Sequence, residues 1–189
     1  VELRNTDVAN ANAGYTITNN LESDGQLRVL NTETGTDNVT VTTTANGDVV
    51  VDTLLIQGNT RTGSDASLTI NGATATVTSG ATLDDSTGVA TLTFSGTTQA
   101  VTGTIDGDSA GEGAVEVNGA DVTFNNNIGG TRLLSFTVNS GKKAQLAAGT
   151  LGATTITNSG TTELDTSVTM TGTTLELNGS GTDNSGIIA

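Results

Sequence analysis

Ser67–Val77 reads SLTINGATATV, and Ala114–Phe124 reads AVEVNGADVTF, the same rhythm displaced by 47 residues. Each begins with an apolar–polar–apolar run, closes it on Asn-Gly and starts a second alternating run. Leu92-Thr93-Phe94-Ser95-Gly96 stands midway, so the displacement covers two periods of about 23 residues, the length of one coil in a β-solenoid. Further copies follow at Phe136–Gly141, Thr155–Gly160, Val168–Gly172 and Leu175–Gly179. The closing glycines at 72, 96, 119, 141 and 160 are 24, 23, 22 and 19 residues apart. A recurring unit of this size, made of short alternating strands and Gly/Asn corners, predicts a parallel β-solenoid with coils of about 19–24 residues.

The side chains suit that architecture. Alternation places Leu68 and Ile70 on one side of a strand and Thr69 on the other. The inward set is Val, Ile, Leu and Ala, which stack on similar neighbours one rung away. The outward set is Thr, Asn, Ser and Asp, and Thr is both β-branched and polar, fitting a solvated pleated surface. Gly and Asn at the corners suggest turns with positive φ. The chain holds no Pro, which would remove a ladder donor. Asn125-Asn126-Asn127 reads either as a corner ladder or as a plain polar loop.

Residues 1–50 are less regular. Tyr15–Thr18, Gln26–Leu30, Asn38–Thr43 and Asp48–Ile56 each read as a strand, with glycines at 14, 25, 35 and 47. This stretch is expected to be a cap, a set of coils with two corners per turn, or a sandwich-like module; residues 51–189 are expected to form the coils. The only helix candidate is Lys142–Ala148. An antiparallel β-sandwich is the competing fold, because Asn46-Gly47, Asn71-Gly72, Asn118-Gly119 and Asn178-Gly179 are also hairpin signals. Composition decides against it: aromatics are 2% of the chain, and a sandwich core about 10 Å thick needs bulk between its sheets.

The net charge is −14. No basic residue lies between Arg61 and Arg132, an interval that holds eight carboxylates. Nucleic acid and anionic membrane surfaces would be repelled. No apolar stretch is long enough to span a membrane as a helix. With no His and no Cys, the Ser-His-Asp and Cys-His arrangements are impossible. The Gly-rich stretches carry no phosphate-binding signature. The chain opens on Val1 and stops at Ala189 in mid-pattern, which reads as a piece of a longer protein.

Val101–Gly107 (VTGTIDG), Gly111–Gly130 (GEGAVEVNGADVTFNNNIGG) and Phe136–Ala144 (FTVNSGKKA) carry a resemblance. Over residues 60–189 the sequence is similar in rhythm to the repetitive β-helical passenger regions of Gram-negative autotransporters and related giant surface or S-layer-like proteins. The resemblance implies a parallel β-helix exported to the cell surface, with a role in adhesion, coat formation or display. The membrane-embedded barrel of autotransporters is not in this sequence, which leaves the export route open.

Calcium is the most specific chemical expectation. Asp106-Gly107-Asp108-Ser109-Ala110-Gly111-Glu112 begins like an acidic cation loop, with Asp106, Asp108 and Glu112 as the candidate ligands. It departs from the EF-hand pattern at Ala110, in the fifth position, and at Val117, in the twelfth. The plain alternative is a solvated acidic turn. Asp84-Asp85 and Asp183-Asn184 are lesser candidates, and Asn38-Val39-Thr40 is a glycosylation sequon. Ser140 beside Lys142 and Lys143 is read as corner chemistry rather than a catalytic dyad.

The functional expectation is a non-enzymatic extracellular structural or adhesive protein that self-associates into a filament, coat or layer, with calcium bridging acidic faces. The alternatives are a fibre or adhesin module that binds surface glycans or a receptor, and, third, a β-helical polysaccharide-degrading enzyme working through paired carboxylates.

Overall fold

A computed structural model describes residues 1–5, 12–32, 40–59, 64–147, 149–165, 167–177 and 187–188. Among the described residues all regular elements are strands. These are β1 (Glu2–Asn5), β2 (Ala13–Ile17), β3 (Leu21–Asn31), β4 (Val41–Ala45), β5 (Val49–Gln57), β6 (Ala66–Ile70), β7 (Thr74–Val77), β8 (Ala81–Asp84), β9 (Ala90–Phe94) and β10 (Thr98–Thr102). They continue as β11 (Ile105–Gly107), β12 (Ala114–Val117), β13 (Asp121–Phe124), β14 (Ile128–Val138), β15 (Lys143–Leu146), β16 (Thr150–Asn158), β17 (Thr161–Leu164), β18 (Thr169–Thr171), β19 (Thr174–Leu177) and β20 (Ile187–Ile188).

Every pairing among these strands is parallel, and each strand pairs with the one a full coil later. Three columns result. The first face stacks β1, the second half of β3, the second half of β5, β8, β11, the start of β14, the start of β16, and β18. The second face stacks β2, β4, β6, β9, β12, the end of β14, the end of β16, and β19. The third face stacks the starts of β3 and β5, then β7, β10, β13, β15, β17 and β20. This is the parallel β-solenoid, and the antiparallel sandwich is excluded.

The 47-residue repeat is visible in the register. Leu68 pairs with Leu92 and Leu92 with Val115; Ile70 pairs with Phe94 and Phe94 with Val117. The second half of the repeat slips. Val77 and Phe124 align in the sequence, yet Ala75 is the residue that stacks on Val101 and through it on Phe124. The corner after β6 is tighter than the corner after β9, because Ile70 pairs with Phe94 while Thr74 already pairs with Ala100.

The coils shorten steadily along the chain. On the second face the paired residues are Ala13–Val41, Val41–Ala66, Ala66–Ala90, Thr91–Ala114, Ala114–Ser135, Ser135–Thr155 and Thr155–Thr174, offsets of 28, 25, 24, 23, 21, 20 and 19. The change lies mainly at the corner from the first face to the second. Residues 32–40 connect β3 to β4 and residues 85–89 connect β8 to β9, whereas β14 and β16 run round that corner as single strands.

The interior is a column of aliphatic side chains with three aromatic rings. Phe94, Phe124 and Phe136 are each 1% exposed. Phe124 meets Phe94 edge-on, with centroids 5.3 Å apart and planes at 87°, and meets Phe136 at 5.8 Å and 67°. The expected helix at 142–148 is instead β15. Ala144 and Leu146 point inward there while Lys143 and Gln145 point out, a two-residue alternation that a helix would scatter.

Asn178-Gly179 lies outside the described residues; the Asn-Gly corners at 46–47, 71–72 and 118–119 turn between parallel faces and are not hairpins. Their glycines form a ladder for a reason other than positive φ. A Cβ on Gly96 would lie 2.6 Å from the Gly72 carbonyl oxygen, and one on Gly119 would lie 2.5 Å from that of Gly96. The corner backbone of each coil therefore rests on the corner below, with no room for a side chain. Positive φ occurs at Gly141, which closes a later copy of the repeat, and away from the closing glycines at Gly80, Ser86, Gly103, Gly111, Gly113 and Gly129. Asparagines at the corners bond coil to coil: Asn71 Nδ2 donates to Asn46 Oδ1 at 3.0 Å, and Asn139 Nδ2 to Asn118 Oδ1 at 2.7 Å. The Asn125–Asn127 run makes no such ladder; Asn126 Oδ1 accepts from the Gly103 amide and Asn125 Nδ2 donates to Thr102 Oγ1.

Candidate functional site

The acidic corner lies between the first and second faces. Asp106 is the middle residue of β11, and its Oδ1 accepts the Thr131 amide of the following coil at 3.0 Å. Asp108 lies just past the strand, exposed, with its amide bonded to the Leu83 carbonyl below. Glu112 curls back over the turn, its Oε2 accepting the Ser109 amide at 3.0 Å. Among the described residues no group of three or more Asp, Glu, His or Cys side chains converges as a metal cage would. Asp106 and Glu112 each spend an oxygen on a backbone amide.

Other carboxylates also tie coils together. Asp48 Oδ1 accepts from the Thr74 amide and Asp65 Oδ1 from the Val89 amide, each donor lying on the next coil. Asp84 ends β8 and accepts from Gln57 Nε2 at 2.6 Å, as well as from the Ser86 amide and hydroxyl. Asp85 sits beyond the strand and accepts the Ala90 amide at 2.8 Å. Burial raises the Asp85 carboxyl above the ordinary range. The backbone amides of Ala90 and Gly113 pull it down, and the charges of Asp84 and Asp65 add to the rise. Part of the acidity seen in the composition is thus structural: these carboxylates satisfy amides at corners where the ladder is interrupted. Asp183-Asn184 and Asn38-Val39 fall outside the described residues.

Lys143 stands on the third face between Asp121 of the preceding coil, at 3.4 Å, and Glu163 of the following one, at 2.9 Å. The hydrogen bond that Lys143 donates to Glu163 raises its pKa, and the Asp121 charge adds to this. Beside it Thr123 donates to Gln145, and Gln145 Nε2 reaches both oxygens of Asp165 at 2.9 Å. Held by two carboxylates, Lys143 is not presented to Ser140 as a base. Two surface depressions, of about 210 Å³ beside Asp24 and Asp52 and about 190 Å³ beside Met170 and Leu175, are smaller than the pockets that enclose organic ligands.

The second face is different in kind. Its outward residues form two files in strict register. One runs Thr16, Thr44, Thr69, Thr93, Glu116, Thr137, Thr157, Glu176. The other runs Gly14, Thr42, Ser67, Thr91, Ala114, Ser135, Thr155, Thr174. Of the chain's 20 acidic and six basic residues, only Glu116 and Glu176 stand in these files. An acidic protein thus carries one nearly uncharged sheet face of hydroxyls and methyls, with rungs about 4.8 Å apart. Sequence reading identified Thr69 only as the outward residue of its own strand. That the two files form one continuous surface follows from the register, which the slipping second half of the repeat obscures.

No helix among the described residues is long and apolar enough to cross a membrane. Compared with protein-family models, with curated proteins and with solved structures, the chain matches none of them.

Proposed function

We propose that this chain is a non-enzymatic structural or adhesive element of the bacterial cell surface, a stiff rod that self-associates into a filament, coat or layer. The observation that supports this reading most is where the side chains go. Large apolar groups fill the inside of a continuous stack, and the outside is flat strand face carrying short polar residues. A stack in which each coil hydrogen-bonds only to its neighbours behaves as a one-dimensional rod, suited to length and stiffness. Extracellular placement rests on the autotransporter-like rhythm, and calcium bridging of acidic corners belongs to the same proposal.

Glycan recognition is the lesser reading. Sugar-binding grooves use exposed rings, and Phe94, Phe124 and Phe136 are all inside. Tyr15 is half-buried, its hydroxyl bonded to the Arg4 carbonyl at 2.8 Å. Negative-stain microscopy with and without a calcium chelator tests the proposal. Filaments or sheets support it, and their dispersal by chelator supports the calcium bridge. Monodisperse short particles in both conditions, across concentration, would overturn it.

A further inference from the structure

We infer that the hydroxyl face formed by β2, β4, β6, β9, β12, β14, β16 and β19 is the surface through which two copies of this chain pack side by side. The inference rests on the self-association proposed above and names the surface that performs it.

Charge is the first argument. Each copy carries −14, so most approaches of one rod to another bring carboxylates together. The second face is where two copies meet with little like-charge cost, since its files hold Glu116 and Glu176 and otherwise neutral side chains. Size is the second. Seven rung steps of about 4.8 Å by five residues of about 3.3 Å give a footprint of about 550 Å² per copy, or about 1,100 Å² for the pair. That meets the lower bound for a specific interface. The third argument is surface chemistry. Thr methyls present apolar area between hydroxyls, and Leu134, 38% exposed, stands in β14 immediately before Ser135 at the margin of this face. Flat sheet faces of this kind pack about 10 Å apart with interdigitated side chains. Because acidic corners flank the face, added salt strengthens this contact by screening the rims, the reverse of an association driven by opposite charges.

The test is sedimentation velocity over a concentration series, at low and high salt, on the wild type and two double variants. T69E with T137E puts charge into the face. Glu already occupies the same file at Glu116 and Glu176, and because T137E sets a second carboxylate one rung from Glu116, the fold of this variant is checked directly. T76E with A100E adds the same charge to outward positions of the third face. Circular dichroism confirms that all three fold. The expected result is a wild-type dimer favoured by salt, at least tenfold weaker association for T69E/T137E, and a change below about threefold for T76E/A100E. Equal association by all three proteins overturns the face assignment and leaves the self-association reading standing. A wild type that stays monomeric at every concentration overturns both. A monomeric wild type that is retained on an insoluble polysaccharide, and released by T69E/T137E, gives the face to a carbohydrate lattice and overturns the second-copy inference.

Discussion

Replacing Phe124 with Ala tests the packed interior more sharply than any other single change. The ring is 1% exposed and sits between Phe94 and Phe136, with centroids at 5.3 and 5.8 Å in two edge-to-face contacts. It is the member common to both pairs, so its loss removes both contacts at once. Phe-to-Ala changes in well-packed cores cost about 3–5 kcal/mol through lost transfer energy and the cavity left behind. Edge-to-face pairs add about 0.5–1.5 kcal/mol each beyond burial, which places Phe124→Ala at the upper end, about 4–5 kcal/mol. Collapse around the cavity is limited because the flanking strands are fixed in register to the coils above and below. Phe124→Leu keeps most of the buried area and loses the aromatic contacts, for an expected cost of about 1–2 kcal/mol. Urea unfolding followed by circular dichroism reads both variants. Against a typical domain stability of about 5–15 kcal/mol, the Ala variant should lose a large share of its midpoint. A loss below about 1 kcal/mol for Phe124→Ala would mean that the ring is not packed between its neighbours, and the column of side chains described here would be wrong at its centre.

Three further perturbations follow from local geometry. Gly119→Ala drives a Cβ to 2.5 Å from the Gly96 carbonyl oxygen and 2.6 Å from Val122 Cγ2 and should cost at least about 2 kcal/mol by urea unfolding, whereas Gly14→Ala, with nothing within 4 Å, should be neutral or stabilising by up to about 1 kcal/mol. Asp85 binds its proton more tightly folded than unfolded, where its value is near 3.8, so its contribution to stability is full below that value and is lost as pH rises through the raised folded one. The stability of wild type relative to D85N should therefore fall as pH rises above about 4, and a flat or rising difference refutes the assignment. Lys143 has a raised pKa, so its stabilising contribution holds below about 10.5 and disappears as pH rises through the folded value. Its ammonium should titrate above the usual lysine range by NMR, and E163Q should bring it back toward that range.

The coil itself was legible because inward side chains repeat whenever a strand returns to the same column. Leu68, Leu92 and Val115 show this directly, each preceded by a small residue and followed two positions on by Ile70, Phe94 or Val117. The number of residues between returns was less legible. Corner lengths vary without changing the strands, so glycine spacing gave the later coils and missed the longer early ones, where nine residues separate β3 from β4. Glycine was read as a φ signal, but at Gly96 and Gly119 it answers a carbonyl one coil away, a contact that single-sequence reasoning cannot see. The strand at Lys143–Leu146 was mistaken for a helix start because Lys, Ala, Gln and Leu favour helix locally, and tertiary stacking on Val122 and Phe124 overrides that preference. The acidic run at 106–112 was legible as chemistry, though not its use. Asp106 and Glu112 turn toward the amides of Thr131 and Ser109 rather than toward each other. The charge-poor face was hidden for a simpler reason. Thr is so frequent in this chain that its segregation into two files appears only once the register is known.

The in-register stack is tested most directly by distances measured along the file of Thr16, Thr44, Thr69, Thr93, Glu116, Thr137 and Thr157. Spin labels are placed at Cys introduced by T16C paired in turn with E116C, T137C and T157C, and read by pulsed electron resonance in protein diluted with unlabelled chain. Four, five and six rung steps of about 4.8 Å predict backbone separations of about 19, 24 and 29 Å, increasing by one rung at a time. Separations that fail to grow in this order, or that fold back so that position 157 lies nearer to position 16 than position 116 does, would contradict the solenoid and every surface argued from it.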